Sequence, residues 1–392
     1  MTSVLVSPTQ SGKTGYIQNL AHESLKNGNS VFIVLRNITA DLLQFCKRWS
    51  FDSPLNPYDS ITESPSVYIC LSNVHQLSKM YCTIDRLNHP FIIILDEADL
   101  IYLDKKESKQ TTMLYDEMYK NKYLKHKYYI TATPFSLFKY IPDIKCENIK
   151  TLDINEKYVG FQDIKKWHVL GTCIKRTTKP DNYSKYAEKY LELLQYIIRR
   201  KSHQIVLFNC TSLIAIQEKL GKDFFLKLPV NVIVDHGEHT IVYSKNIINS
   251  FSDGVSMQPG FRYIFKKVHI KEILKSLKND STQEKIVIVS GIKAGRGQSY
   301  KTEDSGEWHL TDIVYLPPVY QTCETLIQAC GRITGVYDKT PELHIWTSRK
   351  AQNSILEYID YQKNVLNCCK NSKDKIVNVI SEFEYTGSFK II

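Results

Sequence analysis

One stretch near the N-terminus restricts the fold more than any other: Ser7-Pro8-Thr9-Gln10-Ser11-Gly12-Lys13-Thr14. A short apolar run, Val4-Leu5-Val6, precedes it, and Tyr16, Ile17, Leu20, Ala21 and Leu25 recur after it at helical spacing. The order strand, tight loop, helix is the setting in which backbone N–H groups and a helix N-terminus surround an anion. In such a loop Lys13 reaches the β- and γ-phosphates of ATP, and the Thr14 hydroxyl is a ligand for Mg2+. Ser7 stands where a first glycine is usual, and it is small enough for the bend.

With 392 residues the chain exceeds one ordinary core, so two domains are expected. An apolar share of 43% supplies buried sheets, and no run of eighteen apolar residues suggests a membrane span. The N-terminus runs straight into the first strand, which predicts no signal or transit peptide and no membrane partner. Ten cysteines without a C-x-x-C pair read as reduced thiols of a cytosol-like compartment. A net charge of +10 is compatible with a nucleic-acid partner without requiring one.

Strands are predicted at 31–35 and 67–71 and helices at 39–49 and 74–81, with a Pro-rich loop at 51–66. This alternation argues a doubly wound α/β domain. The run Phe91-Ile92-Ile93-Ile94-Leu95 ends directly in Asp96-Glu97-Ala98-Asp99. Carboxylates at the end of a buried parallel strand lie where such sheets bind ligands. Asp96 is therefore expected to hold Mg2+ and Glu97 to deprotonate an attacking water. A further strand, Tyr128-Tyr129-Ile130, enters the polar turn Thr131-Ala132-Thr133-Pro134.

These motifs, in this order, resemble the superfamily 2 helicases and translocases, those of viral or phage type among them. The resemblance implies a phosphate loop at 7–14, a D-E-x-D box at 96–99 and an S/T-A-T-like element at 131–133 on the first of two RecA-like domains. It assigns coupling between ATP state and nucleic acid to Thr131 and Thr133. The letters Asp-Glu-Ala-Asp do not make the chain a DEAD-box RNA helicase. Only six residues precede Ser7, leaving no place for an adenine-reading Gln segment, and Leu35-Arg36-Asn37-Ile38-Thr39 replaces P-T-R-E-L-A.

Residues 141–163 lose clear periodicity, which places the boundary there. The Tyr158-Val159-Gly160-Phe161 stretch resembles a Tyr-x-Gly of some phage and viral relatives. Lys165 to Lys179 is basic, with Trp167 and His168 interleaved, and reads either as a nucleic-acid contact or as a solvated loop. An amphipathic helix is predicted at 183–200. The strand 204–208 leads to Asn209-Cys210-Thr211-Ser212, and the strand 230–234 to Asp235-His236-Gly237. By resemblance, Asn209, Thr211 and Gly237 touch the nucleic-acid backbone, whereas His236 alone reads as a structural turn residue. After the strand at 285–290, the segment 291–299 resembles the fifth helicase motif, with Gly295 and Arg296 expected at the nucleotide. Gln328-Ala329-Cys330-Gly331-Arg332 resembles the start of Q-x-x-G-R-x-x-R. That match makes Arg332 an arginine finger and Gln328 a residue that positions water or phosphate. Gly335 occupies the place of the second arginine, which Arg296 or Arg349 could supply.

The expected architecture is α/β, two tandem RecA-like domains with parallel sheets flanked by helices. Its parts are an ATP-binding domain at 1–145, a linker at 146–165, a second domain at 166–350 and a C-terminal helix and tail at 351–392. ATP would lie in the cleft between the domains. The implied activity is nucleic-acid-dependent ATP hydrolysis by a DNA helicase or translocase, with RNA the alternative strand, single-stranded in either case. The competing reading is a non-catalytic or weakly hydrolysing assembly subunit that keeps the helicase fold. The expected location is cytoplasmic, or a host-cell or virion compartment.

Overall fold

The computed structural model describes residues 1–101, 108–201, 204–236, 239–244, 255–258, 262–266, 268, 270–280, 285–291, 300–302, 308–319, 321–339 and 341–385. They fall into two compact units, 1–156 together with 359–385, and 157–358.

In the first unit the strands are β1 (Thr2–Val6), β2 (Ser30–Leu35), β3 (Leu55–Pro57), β4 (Val67–Leu71), β5 (Phe91–Asp96), β6 (Leu124–Thr131) and β7 (Ile149–Thr151). The helices α1 (Lys13–Lys26), α2 (Thr39–Arg48), α3 (Val74–Asp85), α4 (Ala98–Ile101), α5 (Ser108–Tyr119) and α6 (Phe135–Tyr140) connect them. The described strands form one sheet in the order β3-β4-β2-β5-β6-β1-β7, every pair parallel. All residues of β2 and β4 are buried, as strands covered on both faces must be. Ile17 and Ala21 of α1 pack with Leu5, Ile33, Ile94 and Ile130 in one apolar cluster. Two short strands lie where the sequence shows no period. β3 sits inside the Pro-rich 51–66 segment as an edge strand, where Pro57 is tolerated. β7 falls within the stretch expected to link the domains and pairs with β1.

The second unit contains β8 (Tyr158–Val159), β9 (Lys166–Val169), β10 (Gln204–Asn209), β11 (Asn231–Asp235), β12 (His239–Tyr243), β13 (Val255–Gln258), β14 (Arg262–Lys266), β15 (Lys285–Ser290), β16 (Asp312–Tyr315), β17 (Gly335–Val336) and β18 (His344–Thr347). Its helices are α7 (Tyr183–Ile198), α8 (Ile214–Lys227), α9 (Ile270–Asp280) and α10 (Cys323–Cys330). The main sheet runs β13-β14-β12-β11-β15-β10-β16-β18-β9. From β11 to β9 the pairs are parallel, as expected, whereas β12, β14 and β13 add an antiparallel edge. The connection from β11 to β12 is too short for a crossover, so these strands must be antiparallel.

The C-terminal segment does not stand apart. Helix α11 (Arg349–Asn371) belongs to the second unit through Tyr358 and to the first from Ile359 on, and α12 (Ile376–Ser381) completes the first. The Ile376 N–H donates to the Ile144 carbonyl at 2.9 Å, and the Phe135 and Tyr361 rings pack 4.9 Å apart. No described helix is long and apolar enough to cross a membrane.

Candidate nucleotide-binding site

Strands β5, β6 and β1 are neighbours in the first sheet, so the segments leaving their C-terminal ends meet at one edge. The loop after β1 turns through two residues with positive φ, Gln10 at 56° and Gly12 at 99°, before α1 begins at Lys13. Gly12 meets this requirement at little cost because it lacks a Cβ. Ser7 is not among the residues with positive φ, so no glycine is needed there. Its hydroxyl instead ties the loop across itself, 2.5 Å from the Ser11 hydroxyl, which in turn donates to the Pro8 carbonyl at 2.7 Å. The Ser7 N–H donates to the Thr131 carbonyl at 3.0 Å and fastens the loop to the end of β6. Lys13 Nζ curls back to the Pro8 carbonyl at 3.2 Å, within the loop's own concavity. Thr9 is buried, and Thr14 is half-buried in the first turn of α1.

At the end of β5, Glu97 has φ 50°, and this left-handed residue turns the chain from strand into α4. Asp96 Oδ1 accepts the Glu97 N–H at 3.0 Å. Burial and the Glu97 carboxylate push the Asp96 carboxyl up to about 7, against the pull of the Lys13 ammonium. Two carboxylates held side by side in this way gain from a cation. The Asp96 carboxylate and the Thr14 hydroxyl are hard oxygen donors of the kind Mg2+ takes, so the residues present fit that ion.

Thr131 and Thr133 do not stand alone. Both hydroxyls donate to the fully buried Asp99, Thr131 to Oδ1 at 2.6 Å and Thr133 to Oδ2 at 2.9 Å. The polar turn after β6 is thereby locked to the acidic segment after β5. Asp99 lies three residues beyond Asp96, so the acidic box itself carried the signal, but its partners are set by the β5–β6 pairing. Two further residues near this edge escaped the sequence reading. Arg36, at the end of β2, holds Asp41 through Nε and through Nη2 at 3.0 Å. Burial opposes the Arg36 charge, but Asp41, and beyond it Glu97 and Asp96, outweigh this and raise its pKa. Gln362 of α11 donates from Nε2 to the Ala132 carbonyl at 3.2 Å, between the two threonines. No local pattern announces a contact across so much sequence.

The second unit uses its strand ends differently. Asn209 is buried, accepts from Arg176 Nη1 at 3.1 Å and donates to the Gly291 carbonyl at 3.1 Å. Arg176 also donates to the Leu316 carbonyl at 2.9 Å. The Thr211 hydroxyl is buried and accepts the Leu213 N–H at 3.1 Å. Burial and the adjacent His239 push the His236 ring below the usual histidine range. Gly237, Gly295 and Arg296 lie outside the described residues. Trp167 and His168, candidate nucleic-acid contacts by sequence, sit on β9. The Trp167 Nε1–H donates to the Ile164 carbonyl at 2.9 Å, and the His168 ring stacks on Trp346 at 3.7 Å.

Gln328 is buried on α10, and Arg332 is buried in the short 3-10 turn that follows. The Tyr300 hydroxyl lies near Arg332 and is raised well above its usual range by burial and by Asp235, an effect that Arg332 opposes. Gly335 is not on the helix. It opens β17 with φ 150° and pairs with Val159. Residues 332 and 335 therefore do not share a helix face.

No protein-family model matches the sequence, and no curated protein matches it. Among solved structures the chain is similar to Dbp5 of S. cerevisiae bound to RNA and ADP BeF3. The identity is 14%, the match covers 96% of this chain and 89% of that one, and the TM-score is 0.51. A substituted form of the same protein in the same complex matches at 15% identity, 96% and 89% coverage and TM-score 0.51. The S. tokodaii protein Xpd4 matches at 11% identity, 92% and 94% coverage and TM-score 0.48.

Proposed function

Because the chain has the fold of superfamily 2 helicases, two tandem RecA-like units, we propose that it is a nucleic-acid-dependent ATPase. Within that class our reading is a DNA helicase or translocase, with RNA as the alternative strand. The observation that carries it is the convergence of three segments at one edge of the first sheet: the loop around Lys13, the Asp96–Glu97 pair, and the Asp99–Thr131–Thr133 cluster. The similar Dbp5 structure, bound to RNA and a nucleotide analogue, supports the same class of ligands.

In this reading residues 7–14 hold the triphosphate of ATP and Lys13 neutralises its β- and γ-oxygens. Thr14 and Asp96 would hold Mg2+, which when bound neutralises charge developing on the phosphates. Glu97 accepts the proton of the attacking water. Arg332 stabilises charge that develops on the phosphoryl group, and Gln328 positions the water or the phosphate. Thr131 and Thr133 transmit the state of the acidic segment through Asp99. The nucleic-acid backbone is assigned to the turns at Asn209, Thr211 and Gly237. Gly295 and Arg296 remain assigned to the nucleotide.

The test is phosphate release by the purified chain alone and with single-stranded DNA, duplex DNA or RNA. Stimulation by one of these polymers is the expected result. ATP binding without release in any mixture would instead support a non-catalytic assembly subunit, the reading that Gly335 at the second arginine position favours.

A further inference from the structure

Away from the nucleotide-binding residues, the fold of the second unit brings together three side chains that are scattered in sequence. Glu218 lies on α8, His236 follows β11, and His239 opens β12. His236 Nε2 is 3.1 Å and His239 Nε2 is 3.7 Å from the same Glu218 oxygen. One ligand atom from each of the three lies within 4.8 Å of the others. The two imidazole rings meet edge to face, with centroids 4.2 Å apart.

We propose that Glu218, His236 and His239 bind one zinc-class divalent ion. Two imidazole nitrogens and a carboxylate oxygen form a ligand set that zinc accepts in open sites, where water completes the coordination. Ligands about 2.0–2.1 Å from a tetrahedral zinc ion lie roughly 3.3 Å from one another, a value between the two distances found here. Small side-chain movements therefore suffice to admit an ion. His236 is 3% exposed, whereas His239 and Glu218 are 26% and 34% exposed, so one wall of the site is fixed and the other is open to solvent. Nitrogen donors select against Mg2+, which takes oxygen ligands, so this site is chemically distinct from the one at Asp96. A bound ion would fasten the start of β12 and the end of β11 to α8, stiffening the edge of the sheet beside Asp235.

The alternative is that Glu218 accepts hydrogen bonds from the histidines and binds no metal. Calorimetric titration of the EDTA-stripped full chain with Zn2+, in excess Mg2+, separates the two. The wild type is expected to bind one equivalent more than Glu218→Gln or His239→Ala, or to bind it about 100-fold or more tightly. Zn2+ should also raise the Tm of the wild type and leave that of both variants unmoved. Co2+ in place of Zn2+ reports the ligands: an intense visible band without thiolate charge transfer is expected, and His239→Ala should abolish it. Equal stoichiometry and affinity in all three proteins would overturn the proposal, and so would a thiolate spectrum that the substitutions leave unchanged. Both substituted residues are partly exposed, and Glu218→Gln keeps the side-chain shape, so at least one variant folds.

Discussion

The two units arrange parallel strands alike but treat the C-terminal edge of the sheet in opposite ways. In the first, Lys13, Asp96 and Glu97 are set close together, and Asp99 gathers Thr131 and Thr133 beneath them. In the second, Asn209, Arg176 and Ser290 bond backbone carbonyls of their own unit. One edge holds charge that a ligand can answer, and the other satisfies itself. A shared fold does not imply a shared role, because function resides in the side chains grafted onto it. Substitutions at the first edge should therefore abolish chemistry, and most of those at the second should alter only stability. Our reading requires exceptions at Arg332 and Gln328, at Gly295 and Arg296, and at the nucleic-acid turns of Asn209, Thr211 and Gly237.

The largest effect is expected from Lys13→Ala. It removes the ammonium that acts on Asp96 and that, in our reading, answers the phosphates, so hydrolysis should fall below detection and nucleotide binding should weaken. Hydrolysis at the wild-type rate would sink the assignment of this edge to ATP.

Next in size is Arg332→Ala, where a sole arginine finger contributes ~10³-fold or more to rate. A group acting on transition-state charge adds little to ground-state affinity, so ATP should bind the variant normally. Gly335→Arg is the matched control. A side chain at φ 150° is strained by on the order of 1 kcal/mol or more, and position 335 lies on β17 rather than on the helix before Arg332. We expect no gain from it. A several-fold rise in phosphate release would show that the second arginine position is still available.

Glu97→Gln should bind MgATP and hydrolyse it about 10²-fold more slowly, the scale of a lost general base. If that variant loses binding while Asp96→Asn hydrolyses normally, the two carboxylates have exchanged roles.

What the sequence disclosed follows the same contrast. Strand β2 and the D-E-x-D strand are legible because two-sided burial demands unbroken apolar runs, and the loop at 7–14 because its spacing is local. Thr131 and Thr133 stand out as polar residues, but their shared partner Asp99 depends on strand pairing that no window reveals. Gln362 and β7 are fixed by tertiary packing alone. The setting of Gly335 also depends on where a helix ends. Three residues after Arg332 it would share a helix face, had α10 not ended at Cys330. Glu218 and His239 carry no zinc-like spacing because one ligand comes from a helix and two come from the ends of a hairpin.

A smaller effect is expected from Asp99→Asn. An amide nitrogen cannot accept a hydroxyl proton, so one threonine must reverse its bond to accept from the amide, and both bonds lose their charged partner, a change on the order of 1 kcal/mol. Nucleotide affinity should hold, while stimulation by nucleic acid should drop several-fold. Unchanged stimulation would remove Asp99 from the coupling path.

The smallest effect concerns acid stability and separates the units once more. In the second unit, burial, the Arg200 guanidinium and His168 push the His344 ring down to about 4, and Arg200 donates to its Nδ1 at 2.7 Å. In the first unit, burial, the Met1 ammonium and Lys150 push His126 down to about 4 as well. A depressed histidine is neutral when folded, whereas the unfolded chain takes up a proton near 6.5. Stability is therefore fully present above about pH 6.5 and is lost as pH falls toward 4, by on the order of 3 kcal/mol at most for His344. The His344 side chain is 5% exposed, while His126 is only half-buried, so solvent screens more of the His126 effect. Urea unfolding followed by tryptophan fluorescence between pH 7 and 4.5 should show this fall in the wild type. His344→Gln, uncharged at every pH, should flatten the slope more than His126→Gln does, whatever each costs at pH 7. Equal slopes in both variants would mean that the Arg200 cluster does not distinguish the second unit.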